Sequence, residues 1–327
     1  MHVTVVSGGI GGARFLRGLL HVLDVDDEVT VIGNTADDIW LFGLRVCPDL
    51  DTLMYTLGGG IDDQRGWGRE SETWQAKQEL AAYGAQPDWF GLGDRDLATH
   101  LLRTQMLAEG QSLSAATSRL SHRWLSRLQP AVRLLPMSDD LVETHVLIAD
   151  DAAPQGRRRV HFQEYWVRLH AEVPALEVIV QGQSESSPAP GVVEAIDACD
   201  VVLLPPSNPV VSIGTVLGVP GIGAAVRHTA APVVGVSPIV GGRAVRGMAG
   251  PLLRALGIDV TAAAVAAHLG ARGAGGFLDG WLVDEGDVGE LDAIADAGIR
   301  ARAVPLLMRD LDATASMAAA ALDLALQ

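Results

Sequence analysis

The opening segment constrains the fold more than any other part of the chain. Val3-Thr4-Val5-Val6 is an unbroken β-branched run that enters Ser7-Gly8-Gly9-Ile10-Gly11-Gly12. Beyond it, Phe15, Leu16, Leu19, Leu20 and Leu23 recur at the three- and four-residue spacing of one helix face. β-Branched residues suit a pleated strand, so the order reads strand, glycine turn, helix. Glu28 to Ile32 reads as the next strand, ending in Gly33-Asn34-Thr35-Ala36-Asp37-Asp38. A β-α-β unit this early predicts an α/β fold: a Rossmann-like, doubly wound, mainly parallel sheet with helices on both faces.

Helical patterns follow through Asp51–Leu57, Thr73–Tyr83, Asp96–Leu107 and Leu113–Leu128, with a glycine- and tryptophan-containing loop at Gly58–Gly68. Strand signals resume at Val132–Leu135 and Val142–Ile148, and the polar Asp150–Arg159 stretch between β-like runs suggests a hairpin. Gln183–Gly191 reads as an exposed loop. Val201–Leu204 and Val233–Val236 are short apolar runs of the buried parallel type, and a helix is expected over Asp310–Leu326. With no internal repeat and no clear linker, the expectation is a single domain over residues 1–327, carrying a mainly helical insertion at about 49–128.

Composition narrows the partners. Of 327 residues, 40 are Asp or Glu and 24 are Lys or Arg, giving a formal charge of −16. Such acidity argues against nucleic acid and against an anionic membrane, both of which are held through broad basic surfaces. Lys77 is the one lysine, which nearly excludes P-loop and Schiff-base chemistry. Cys47 and Cys199 are too few for a disulfide framework or a thiolate cluster. A reducing, cytoplasmic location is therefore expected. The N-terminal residues lack the basic and apolar regions of a signal peptide, and no apolar run approaches the about 18 residues of a membrane span.

A glycine-rich turn between a strand and its helix lets backbone amides approach phosphate oxygens. The dinucleotide fingerprint fits poorly: Arg14 stands where its third glycine belongs, and the second strand ends in Gly33-Asn34 without the acid that holds a ribose. A Walker A loop is excluded because no Gly-Lys-Ser/Thr follows. A phosphate- or nucleotide-facing loop of another type is preferred over a turn needed only for packing. Asp37 and Asp38 close the second strand, and Asp49 and Asp51 follow in Cys47-Pro48-Asp49-Leu50-Asp51-Thr52. Carboxylates beside a phosphate site are consistent only if a cation stands between them. Mg²⁺ binds through one or two carboxylates plus substrate phosphates. Helix capping is the competing reading of Asp49 and Asp51. The nine histidines show no metal-ligand spacing.

Other polar loops follow strands or open helices. In Gly93-Asp94-Arg95-Asp96-Leu97-Ala98-Thr99-His100, Asp94 or Asp96 can cap the helix that follows, while Arg95 can fork onto a phosphate or carboxylate. Pro136-Met137-Ser138-Asp139-Asp140 is a cap or a ligand loop. Pro206-Ser207-Asn208-Pro209 and Ser237-Pro238-Ile239 offer short polar groups at the sheet's carboxyl edge. Together these loops suggest one shared crevice.

These blocks, from Ser7-Gly8-Gly9-x-Gly11-Gly12 through Asn34-Thr35-Ala36-Asp37-Asp38 to Val236-Ser237-Pro238-Ile239, occur in one order known elsewhere. The chain resembles the 2-phospho-L-lactate transferase (CofD-like) family of deazaflavin coenzyme biosynthesis, from residue 3 to beyond residue 300. The resemblance implies transfer onto the deazaflavin alcohol Fo from a guanylylated three-carbon phosphate donor, with release of GMP. The arginine-rich, lysine-poor composition points to the actinobacterial branch, in which enolpyruvyl-diphospho-guanosine gives dehydro coenzyme F420-0. Lactyl and glyceryl donors are the alternatives. On this resemblance Asp49 and Asp51 hold Mg²⁺, with Asp94 and Arg95 also catalytic. Gly8, Gly9, Gly11, Gly12, Asn34, Thr35, Asp37, Asp38, His100, Ser138, Asp139, Ser207 and Asn208 line the substrate site, together with Asp49 and Arg95, and the protein is a homodimer. Rival readings are a non-catalytic nucleotide-sugar-binding regulatory protein and, less well matched, an NAD-dependent oxidoreductase.

Overall fold

Seven parallel strands form the central sheet of the computed structural model, which describes residues 1–327. They are β1 (His2–Ser7), β2 (Glu28–Gly33), β3 (Ala131–Pro136), β4 (Val201–Leu204), β5 (Val233–Val236), β6 (Gly280–Val283) and β7 (Arg300–Ala303). Their spatial order is β3-β2-β1-β4-β5-β6-β7, and every neighbouring pair is parallel. Strand order therefore reverses between β1 and β4. In doubly wound sheets that switch point opens a crevice at the strands' carboxyl ends.

Alternation along β1 divides the core. Val3 and Val5 join an apolar cluster containing Phe15, Leu16, Leu19, Leu50 and Leu53, whereas Val6 joins a second containing Ile196, Val216 and Val226. Both faces of the sheet are thus buried under helices, as the apolar strands require. Helix α1 (Ile10–Val22) packs on the C-terminal helix Leu311–Ala325. Gly18 permits that approach: a Cβ there would stand 2.5 Å from the Thr314 carbonyl carbon.

The segment between β2 and β3 holds a hairpin (Ile39–Leu41 with Leu44–Val46) and helices α2 (Pro48–Leu57), α3 (Gln75–Ala82), α4 (Asp96–Ala108) and α5 (Leu113–Leu125). Helix α2 starts three residues earlier than its apolar pattern indicates, because Pro48 occupies its first turn, where a missing N–H costs nothing. The expected hairpin pairs Glu143–Ala149 with Arg157–His161, and Ala175–Gln181 adds a third antiparallel strand. This small sheet supports the chain after β2: Gln163 Nε2 donates to the Asp37 carbonyl (3.1 Å), and His161 Nε2 lies 3.2 Å from the Asp38 carbonyl oxygen. No single helix is long and apolar enough to cross a membrane.

Candidate active site

The glycine turn sits at the switch point, and its glycines are required by close approach. None of Gly8, Gly9, Gly11 and Gly12 has a positive φ. A Cβ on Gly11 would strike the Pro206 carbonyl oxygen, one on Gly12 the Ser7 hydroxyl, and one on Gly9 the Asp49 carboxylate. The Gly8 amide donates to Ser207 Oγ at 3.3 Å. Asn208 Oδ1 caps the next helical turn, accepting from Val210 (3.0 Å) and Val211 (3.3 Å). The Ser207-Asn208 loop after β4 and the turn after β1 thus form two walls of one crevice.

Asp49 packs against the turn after β1. Lying in the first turn of α2, it is placed against Gly9, and Asn34 Nδ2 donates to its Oδ2 at 3.0 Å. Burial pushes its carboxyl up to about 6, opposed by hydrogen bonds from Asn34 and the Gly9 amide. Asp37 is buried, and its Oδ1 has no hydrogen-bond partner. Its carboxyl lies well above the ordinary range through burial first, then repulsion from Asp49 and Asp38. Asp38 is also buried and is pushed up to about 7 by desolvation, against the pull of Arg45 at 3.2 Å. The hydroxyl of buried Thr35 is likewise unpartnered.

Asp51 has a different environment. Residues two apart on a helix project about 200° from one another. Asp51 receives the Arg103 guanidinium across both its oxygens, Nη1 to Oδ2 at 3.1 Å and Nη2 to Oδ1. His100 Nδ1 lies 3.6 Å from Asp51 Oδ2 and Nε2 lies 3.3 Å from Asp96 Oδ2. Tyr55 Oη donates to Asp96 Oδ1 at 2.6 Å and lies 2.7 Å from Thr99 Oγ1. Asp51, Asp96 and His100 bring their ligand atoms within 4.8 Å of one another, a spacing able to hold a metal ion. Reading the histidines against one another overlooks this cluster, because its partners are carboxylates.

Four other residues expected at the site are committed elsewhere. Asp94 does not cap α4: it accepts from the Gln75 and Ala76 amides at the start of α3 and from the Thr73 hydroxyl (2.6 Å). Those bonds hold its carboxyl below the usual range, the Thr73 hydroxyl contributing most. Glu72 takes the Arg95 and Asp96 amides at the start of α4. Arg95 is exposed and donates to the Glu70 carbonyl at 3.0 Å. Fully buried Ser138 donates to the Ser187 carbonyl (2.6 Å), and Asp139 accepts from the amide (2.6 Å) and hydroxyl (2.8 Å) of Ser114. These contacts position loops around the crevice.

Sequence reasoning passed over Arg103, Arg45, Tyr55 and Gln163. A signal for Arg103 exists: Asp96, Thr99, His100 and Arg103 share one face of α4 at helical spacing. That face is turned inward while Leu101 and Leu102 are 55% and 52% exposed. A polar stripe opposite exposed leucines marks a helix whose buried face does polar work.

A glycine turn and crowded carboxylates at the switch point of a 3-2-1-4-5-6-7 sheet describe a Rossmann-like α/β enzyme, and the comparisons define it as a transferase. The chain belongs to the CofD family, whose model, described as 2-phospho-L-lactate transferase CofD, matches residues 3–310. A protein of Streptomyces griseus named phosphoenolpyruvate transferase is 60% identical over 325 residues, covering 99% of this chain and 98% of the relative. One of the same name from Mycolicibacterium smegmatis is 54% identical over 333 residues, covering 99% of each. Among solved structures, a member of the UPF0052 family from Bacillus halodurans shares the fold, with a TM-score of 0.64 at 17% identity over 98% of both chains.

Proposed function

We propose that this transferase moves a phosphoenolpyruvyl group from enolpyruvyl-diphospho-5'-guanosine to the terminal ribityl hydroxyl of the deazaflavin Fo, releasing GMP and forming dehydro coenzyme F420-0. The observation that carries the reading is the apposition of Asp49 to the Gly9 turn, beside the unpartnered carboxylate oxygen of Asp37. Displacement at a diphosphate needs positioning and charge neutralisation more than covalent help. Backbone amides of Gly11 and Gly12 in the first turn of α1, with the Asn208 side-chain amide, are suited to the donor's phosphates; the Gly8 and Gly9 amides are taken by Ser207 and Asp49. Asn34 orients Asp49, which faces the reacting hydroxyl.

The residues fit a divalent cation. Asp37 and Asp49 repel each other, both are desolvated, and one Asp37 oxygen has no donor. Hard oxygen donors of this kind suit Mg²⁺. Asp49 and Asp37 would hold it; Asp51, whose oxygens both face Arg103, is less suited. When bound, Mg²⁺ would neutralise the diphosphate. A lactyl-diphospho-guanosine donor is the second reading, favoured by the family's description. The proposal includes a cytoplasmic homodimer, in line with the resemblance.

The test is turnover of Fo with each guanylylated donor and Mg²⁺, followed by mass spectrometry of the product, for wild type and Asp49→Asn. Dehydro coenzyme F420-0 from wild type with a strong loss in the variant is expected. Undiminished turnover by Asp49→Asn would overturn the role of Asp49. Tight binding of a uridine sugar without any turnover would favour the regulatory-protein reading.

A further inference from the structure

Arg103 is among the largest side chains enclosed in the molecule, only 2% exposed. Its guanidinium spans both oxygens of Asp51, and Nη1 also lies 3.3 Å from the Arg45 carbonyl oxygen. One residue of α4 therefore ties down α2 and the Leu44–Val46 strand, whose Arg45 in turn pairs with Asp38. The ligand-like spacing of Asp51, Asp96 and His100 is already served by a cation, since a guanidinium lies on Asp51. A divalent ion placed there would meet that positive charge at short range. Asp49, on another face of α2, has Asn34 as its side-chain partner and no cationic one.

We propose that Arg103 is a positioning residue: its fork on Asp51 occupies that carboxylate and fixes the rotation of α2, so that Asp49 faces the crevice beside Asp37. The idea rests on the metal-assisted reading above and assigns the cations: Arg103 to Asp51, the divalent ion to Asp49 and Asp37. Bidentate Arg–carboxylate pairs carry the geometric specificity this needs, which lysine does not reproduce.

The experiment compares wild type with Arg103→Met, Arg103→Lys, Asp49→Asn and the double variant Asp51→Asn/Arg103→Met. Thermal melting, Mn²⁺ binding by calorimetry, and kcat and KM for Fo and donor are measured. Arg103→Met should lower kcat by about 10–100-fold, the usual range for residues that orient metal ligands, with KM for both substrates retained. Arg103→Lys should recover only part of the loss. The double variant removes both charges of the Asp51–Arg103 pair, so it is the decisive protein if Arg103→Met fails to fold. It should still bind one Mn²⁺, about 10–100-fold more weakly than wild type because Asp49 is no longer held in place, and remain slow, whereas Asp49→Asn should lose Mn²⁺. Mn²⁺ binding abolished in the double variant, which would place the ion on Asp51, or a return of that variant to wild-type kcat, would overturn the proposal. If wild type turns over none of the donors, the proposed function fails, while the Mn²⁺ measurements still judge Arg103.

Discussion

Replacing Gly9 with alanine tests the apposition on which the site depends. Gly9 has φ −72° and ψ −100°, outside the left-handed region, so alanine's cost there is a matter of space. The new Cβ would overlap Asp49 Oδ1 and stand 3.3 Å from Cγ and 3.5 Å from Cα of Asp49. Carbon atoms prefer separations of about 3.5–4.0 Å, so the backbone can stay and the carboxylate must swing away. Because the obstacle is the end of a side chain, the folding cost should sit near the low end of the ~1–3 kcal/mol seen for overpacking. The catalytic cost should be larger: displacing a reacting group by about 1 Å costs roughly 100-fold, equivalent to ~2.7 kcal/mol in the barrier. Steady-state kcat/KM and a urea melt separate the two. Gly59→Ala is the control: its φ is +71° with no atom within 4 Å of a built Cβ. It should lose ~1–2 kcal/mol of stability from the left-handed backbone and keep its turnover. Wild-type turnover by Gly9→Ala would refute the argument that the turn and Asp49 form one site.

Two further outcomes follow from the same geometry. Asp94→Ala should lower stability, because the Gln75 and Ala76 amides at the start of α3 lose their acceptor, measured by denaturant unfolding; a fall in kcat beyond the loss of folded protein would support a catalytic role for Asp94. His161 is held down to about 4 by burial first and then by His145, so the native state protonates less readily than the unfolded chain. Its contribution is present above about pH 6.5 and lost as pH falls toward 4, amounting to at most ~3 kcal/mol. The buried carboxyls Asp37, Asp38 and Asp49 titrate in the opposite sense over this range, so the measurement is the difference in urea-unfolding stability between wild type and His161→Gln, which should shift against wild type from pH 7 to pH 4; a difference that does not change with pH would remove His161 as a contributor.

Much of the scaffold was legible because it is written in local pattern. The β-branched run, the glycine turn and the helical spacing after it each act within a few residues, and the short apolar runs at Val201 and Val233 announce strands buried on both faces. The polar loops were legible as a set, since the carboxyl ends of parallel strands share an edge. Their separate duties were not. Asp94 and Glu72 exchange caps between two helices, a bargain between residues 22 apart that no single-helix rule anticipates. Ser138 and Asp139 look like ligand-loop residues until their hydrogen-bond partners, Ser187 and Ser114, are known.

The carboxylates of α2 draw the line between the two kinds of information. The sequence by itself determined that Asp49 and Asp51 lie at or just before the start of a helix in a parallel α/β sheet that opens on a glycine turn, because β-branched runs, glycine spacing and helical periodicity are set by neighbouring residues. Only the tertiary structure decided that Asp49 meets Gly9, 40 residues earlier, while Asp51 meets Arg103, 52 residues later. The physical reason is rotational: two residues of helix turn a side chain by about 200°. Which of the two faces the crevice depends on what packs against the helix, here the buried arginine of α4.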